Sequence, residues 1–115
     1  MGSRKQSDAD LESKFQAHLK KRLAEMFPGC WIFKQDSAQL QGVPDLLILY
    51  RNMWAMLEVK AYEGADEQPN QGYYVEHFDN LSFAAFIYPE NEEEVLHDLQ
   101  QALLPAWRTR VPQRV

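Results

Sequence analysis

Gly42-Val43-Pro44-Asp45-Leu46-Leu47-Ile48-Leu49-Tyr50, then Arg51-Asn52, then Met53-Trp54-Ala55-Met56-Leu57-Glu58-Val59-Lys60, is the stretch whose reading decides the fold. Two apolar runs of strand length flank a short polar break, which is the pattern of a β-hairpin over Asp45–Tyr50 and Met53–Ala61. Alternation puts Met53, Ala55, Leu57 and Val59 on one face of the second strand. Trp54, Met56, Glu58 and Lys60 fall on the other. Asp45 enters the first strand close to where Glu58 leaves the second, so a tight turn gathers Asp45, Glu58 and Lys60 at one end of the sheet. Charged groups in such surroundings need partners. One reading is a cross-strand salt bridge between Lys60 and Asp45 or Glu58. The other is a site in which two carboxylates and an ammonium hold a divalent metal and a water beside a phosphate.

Before the hairpin, Ser7 followed by Asp8, Asp10 and Glu12 reads as a helix start, with acids favouring the dipole. Leu11, Phe15, Leu19, Leu23 and Met26 recur at helical spacing until Pro28-Gly29. Trp31-Ile32-Phe33 opens a short strand, and Gln35 to Gly42 is a polar loop. After the hairpin come an acidic loop over 63–68 and a helix opening at Pro69 with Tyr74, Val75, Phe78 and Leu81 on its apolar side. Phe83–Tyr88 is a fourth strand. Asn91 caps a last helix, with Val95, Leu96, Leu99 and Leu103 inward, that Pro105 stops. The order is α-β-β-β-α-β-α, an α/β domain with a mixed central sheet flanked by helices. Residues 1–8 read as a flexible start, 9–104 as the domain and 105–115 as a basic tail carrying Trp107.

At 115 residues and 45% hydrophobic content the chain forms one core. No apolar run approaches a membrane span, and Met1-Gly2-Ser3-Arg4-Lys5-Gln6 has no apolar signal region, so no membrane partner is expected. Cys30 is alone, in keeping with a reducing compartment. The net charge of −5 argues against a polyanionic partner, but its distribution weakens that objection. Residues 61–104 hold ten acids and no Lys or Arg, whereas residues 1–60 hold nine Lys and Arg against seven acids. Arg108, Arg110 and Arg114 face no acid in the tail. Screening confines distant charge to roughly 10 Å, so a local basic strip can bind nucleic acid with strong salt dependence.

Helical phase singles out two more polar residues. Leu11, Phe15, Leu19, Leu23 and Met26 span an arc of about 120°, and Glu12 falls inside it. A carboxylate there frays outward with this early turn, pairs with Arg22 or Lys60, or points to the sheet end where Asp45, Glu58 and Lys60 meet. Gln71 shares the arc of Tyr74, Val75 and Phe78, either as a helix-start side chain bonded to backbone or as an amide that orients water, metal or phosphate. His18, His77 and His97 show no zinc-site spacing. Lys14, Lys20, Lys21 and Arg22 form a basic helix side, either solvated or a phosphate strip. Lys34, Gln39 and Gln41 sit in the segment before Pro44-Asp45, where a loop can reach a phosphate backbone. Glu90, Glu92, Glu93 and Glu94 read as a helix N-terminus favoured by its dipole.

Gln41-Gly42-Val43-Pro44-Asp45 with Glu58-Val59-Lys60 resembles the PD-(D/E)XK nuclease superfamily. With Glu12 and Gln71 in order, the chain looks most like its virus-type replication-repair nuclease (VRR-NUC) group, which is similar to Holliday-junction resolvases. The resemblance covers roughly residues 9–104 and implies a restriction-endonuclease-like core. It implies a metal-dependent endonuclease acting on branched DNA, such as junctions or flaps, in replication, recombination or repair. It further implies that Asp45, Glu58 and the carbonyl of Val59 ligate Mg²⁺, with Mn²⁺ a substitute, and that Glu12 holds a water of that shell or a second ion. Lys60 would position or deprotonate the attacking water, and Gln71 would support Lys60 or the phosphate. The implied compartment is the cytoplasm of a bacterium or phage-infected host, or a nucleus. A homodimer would match the symmetry of a four-way junction. The acidic net charge and acidic loop 63–70 depart from expectation beside a DNA path. A non-catalytic nucleic-acid-binding module and a protein-interaction domain with a structural polar cluster are the alternatives.

Overall fold

The structure is a computed structural model that describes the backbone of residues 2–114 and the side chains of residues 7–104. Its elements are α1 (Gly2–Met26), β1 (Trp31–Lys34), β2 (Leu46–Tyr50), β3 (Met53–Val59), α2 (Gln71–Leu81), β4 (Phe83–Ile87) and α3 (Glu92–Arg114), with a 3-10 turn over Pro89–Asn91. The sheet order is β1-β2-β3-β4. The first two pairings are antiparallel and β3–β4 is parallel, so the mixed sheet flanked by helices is as expected. A parallel neighbour needs a crossover, and α2 supplies it.

The hairpin closes at Tyr50 opposite Met53, with Arg51 in the left-handed region at φ 60. Its register pairs Leu46 with Leu57, which sets Asp45 level with Glu58. Alternation gives the sheet two unlike faces. Leu46, Ile48, Tyr50, Ala55, Leu57, Val59 and Ile87 meet Phe15, Leu19, Leu23 and Phe27 of the α1 side and Val95, Leu96, Leu99 and Leu103 of α3. The opposite face carries α2, where Phe78 meets Trp54 edge-on at 6.2 Å. Leu46, Leu57, Leu19 and Leu23 are fully enclosed, and each contributes about 1.5–3 kcal/mol by leaving water.

Several local expectations are corrected. Leu11 and Leu81 lie on apolar arcs but are 51% and 63% exposed; Leu81 falls on the flank of α2 that it shares with exposed Tyr73 and His77. Phe27, just past α1, takes a core place that helical phase did not assign. α1 starts at Gly2, ahead of Ser7, since Arg4, Lys5 and Gln6 are good helix formers with no breaker among them. α2 starts at Gln71 and not at Pro69, because Asn70 adopts φ 72 and interrupts the helical path. β3 ends at Val59, although Lys60 N still donates to Ile87 O at 2.9 Å. Asn91 does not cap α3 with its side chain; its Oδ1 accepts from Tyr88 N at 2.9 Å within the 3-10 turn. α3 runs on past Pro105, which forfeits one backbone bond to the preceding turn without ending the helix. The side chains of Trp107, Arg108, Arg110 and Arg114 lie outside the described residues.

Arg22 is fastened to the far end of the chain. Its guanidinium reaches Glu93 at 2.6 and 2.7 Å and Glu92 at 2.6 Å, and His18 Nε2 also meets Glu92 at 2.7 Å. This clamp joins α1 to the start of α3. It removes Arg22 from any phosphate strip, and it gives two acids of α3 a partner besides the helix dipole. Among the described residues no helix is long and apolar enough to cross a membrane.

Candidate active site

Glu12, Asp45, Glu58, Lys60 and Gln71, drawn from four segments of the chain, all line one open cleft of about 610 Å³. Its remaining wall comes from the loop over residues 36–43, including Asp36 and Gln41, and from Asp66 and Gln68. Gly42 makes the enclosure possible. It adopts φ +90, and a β-carbon there would stand 2.7 Å from Pro69 O and 2.8 Å from Asn70. The loop ahead of Asp45 therefore presses backbone to backbone on the segment that starts α2, as only glycine allows.

The floor of the cleft is a tied set of polar groups. Asp45 Oδ2 accepts from Val59 N at 2.9 Å, which locks the acid to the end of β3. Lys60 Nζ donates to Gln71 Oε1 at 2.6 Å and to Asp66 O at 2.8 Å. Gln71 Nε2 donates to Glu58 Oε2 at 2.9 Å, and Gln71 Oε1 also accepts from Gln68 N at 2.8 Å. Lys60 Nζ and Glu58 Oε2 are 4.0 Å apart, too far for a direct hydrogen bond, so the Gln71 carboxamide links them. Glu58, Lys60 and Gln71 are all buried.

Burial leaves this set short of positive charge. It pushes the Glu58 carboxyl up to about 9, with the neighbouring Asp45 charge adding to the rise. Burial likewise raises Asp45, against the opposing hydrogen bond from Val59. Glu12, half-buried, is raised by burial first and by Asp45 second. With both acids ionised, neither Asp45 nor Glu58 can donate to the other, and Oε1 of Glu58 is buried with no hydrogen-bond partner. A proton shared between the two carboxyls relieves part of this strain, as close acid pairs do. Among the described residues no three His, Cys, Asp or Glu side chains form a ready cage for a metal ion. Two mutually repelling carboxylates with an orphaned buried oxygen nonetheless fit a hard divalent cation, which prefers such oxygens.

Lys34 and Asp45 share a smaller hollow with Glu12, Ser13 and Gln16, so Lys34 adjoins the cleft. Gln41 lines the cleft itself, whereas Gln39 is exposed in the loop. Lys14, Lys20 and Lys21 are exposed on α1. Asp36, Asp66 and Gln68 were not singled out by sequence reasoning. Asp66 contributes through its backbone carbonyl, which leaves no residue-type signal. No protein-family model, curated protein or solved structure matches the chain.

Proposed function

We propose that the protein is a divalent-metal-dependent DNA endonuclease of the PD-(D/E)XK type, with branched DNA as its substrate class. The observation that carries this reading is the meeting of Asp45, Glu58 and Lys60 in one cleft, with Gln71 tying the lysine to the glutamate. Asp45 and Glu58 would hold the cation, Mg²⁺ or Mn²⁺, with the Val59 main chain and Glu12 completing its surroundings. Bound there, it supplies positive charge to the phosphate and lowers the pKa of water.

The chain's own groups account for the rest. Lys60 carries three N–H donors, and two are engaged by Gln71 and Asp66. The third is left for a phosphate oxygen, where an ammonium counters the negative charge that develops as water attacks. The water oxygen would form the new bond to phosphorus as one ester P–O bond breaks, and the departing ester oxygen would take a proton from solvent. Glu12, on the cleft wall, would receive the water's proton. Lys34 beside the cleft and Lys14, Lys20 and Lys21 on α1 are the cations available to the flanking backbone.

A cleavage panel of single-stranded, duplex, splayed, flap and four-way DNA, with Mg²⁺ or Mn²⁺, tests this. Cleavage is expected with either metal and is lost in Asp45→Ala, Glu58→Ala and Lys60→Met, whose folding circular dichroism checks. Cleavage that survives EDTA or the Lys60 change sinks the reading. Metal-independent junction binding without cleavage points to a binding module instead.

A further inference from the structure

A second hollow of about 170 Å³ opens beside the cleft, bounded by Ala9, Glu12, Ser13, Gln16, Lys34 and Asp45. It shares Glu12 and Asp45 with the cleft, so the two are neighbouring compartments. Helical spacing builds one wall. Ala9, Glu12, Ser13 and Gln16 recur at three and four residues along one side of α1, and the small Ala9 side chain leaves room. Strand alternation builds the other. Ile32 packs on the core beneath α1, so Lys34, two residues on along β1, points the same way. Lys34 pairs across the strands with Leu46, next to Asp45. Gln16 sets the character of the hollow. It is only 7% exposed, and its carboxamide has no hydrogen-bond partner among the described residues. Burying an amide without a partner is costly. Its oxygen and nitrogen are not sealed in as Oε1 of Glu58 is, and the little exposure they keep opens on the hollow.

The donors that meet here suit an anion with several oxygens. Lys34 brings an ammonium that forms no salt bridge among the described residues, Gln16 brings a carboxamide with its N–H donors free, and Ser13 brings a hydroxyl. Lys34 and Ser13 are exposed at the mouth, and Gln16 lies at the back. Elsewhere the rim repels a phosphate backbone. Loop 63–68 brings Glu63, Asp66 and Glu67, and residues 61–104 hold no Lys or Arg. We propose that the hollow is a phosphate subsite, which takes the backbone phosphate next to the scissile one on donors from Gln16 and Lys34. This subsite rests on the proposed nuclease reading, because a cation at Asp45 is what lets the shared acidic wall accept an anion. It adds a requirement on the substrate. The strand that is cut must carry two successive phosphates, one over Lys60 and one over Gln16, and it runs along the α1 side of the cleft instead of over the acidic loop.

Nuclear magnetic resonance of the ¹⁵N-labelled full chain, with Ca²⁺ as the hard cation, reads this binding apart from cleavage. The probe is the 5′-phosphorylated thymidine dinucleotide pTpT, with two successive phosphates, set against TpT, with one. Addition of pTpT is expected to move the Gln16 side-chain amide signals, which are identified by their loss in Gln16→Leu. Gln16→Leu and Lys34→Met should each weaken pTpT binding roughly tenfold, the worth of one hydrogen bond to a charged group, and leave TpT binding unchanged. Gln16→Leu should melt no lower than wild type, since it removes a buried amide that has no partner. Gln16 signals that stay in place, or a Gln16→Leu chain that binds pTpT as tightly as wild type, overturn the subsite whether or not branched DNA is cut. Gln16 signals that move in a protein that cuts no DNA of the panel uphold the subsite and sink the nuclease reading instead.

Discussion

Lys60 Nζ lies 2.6 Å from Gln71 Oε1, closer than it lies to any carboxylate at the site, and the other end of that carboxamide donates to Glu58. A neutral side chain thus ties the buried Lys60 ammonium to the buried Glu58 carboxyl, and removing it strands both. Hydrogen bonds to charged groups contribute about 1.5–3 kcal/mol, and an orphaned buried partner costs more. Gln71→Leu is therefore expected to lower stability by about 2–4 kcal/mol in urea denaturation. Gln71→Glu keeps an acceptor for Lys60 but sets two carboxylates together. It should keep stability only while Glu58 holds its proton, and lose it as pH climbs toward 9.

Metal-free protein should lose stability as pH rises. The Glu58 carboxyl sits near 9 when folded, against an ordinary value of 4.5, so the folded state keeps a proton that the unfolded chain releases. The stabilisation is complete below about pH 4.5 and declines as pH climbs toward 9. Asp45 and Glu12, also raised, act in the same direction. Melting temperatures in EDTA across this range should fall steadily, and Glu58→Gln should flatten the fall and exceed wild type at alkaline pH. A wild-type melting temperature that rises over this range would show that the acid pair is not strained.

A divalent cation should reverse that loss, because it binds the folded site and not the open chain. At a concentration a hundred times its dissociation constant the gain is about 2.7 kcal/mol, which in a domain of this size is roughly 10 °C in melting temperature. Mn²⁺ is expected to produce this shift in wild type, and Asp45→Asn is expected to abolish it. Calorimetry at neutral pH reads the result without any nucleic acid present. An equal shift in both proteins would place the ion elsewhere.

How the acids come together was legible because a hairpin is local. Asp45, Glu58 and Lys60 lie within sixteen residues, and the polar break at Arg51-Asn52 fixes the register that aligns them. Gln71 and Glu12 were legible only as polar residues on apolar arcs. Helical phase gives a direction but no height, and the same method wrongly turned Leu11 and Leu81 inward. The clamp from Arg22 to Glu92 and Glu93 spans about seventy residues and depends on the packing of α1 against α3. No spacing rule reaches that far. Trp31 reads in sequence as core or as an interface residue, and the position of α2 is what leaves it, Phe33 and Leu49 uncovered.

Gly42 offers a test of whether the loop ahead of Asp45 must press on the start of α2. Gly29 and Gly42 share nearly the same backbone angle, φ +88 and φ +90, but a β-carbon at Gly29 meets nothing within 4 Å. Gly29→Ala is therefore expected to cost only the left-handed strain, about 1–2 kcal/mol, with cleavage retained. Gly42→Ala adds a collision with the backbone of Pro69 and Asn70 that no side-chain rotation can relieve. Strain of this kind costs a further 1–3 kcal/mol, roughly, and relief requires the loop or the first turn of α2 to move. Either movement disturbs Asp45 or Gln71, so DNA cleavage should fall at least tenfold and Mn²⁺ stabilisation should shrink in Gly42→Ala alone. Equal effects of the two substitutions would mean that the contact serves folding without shaping the cleft.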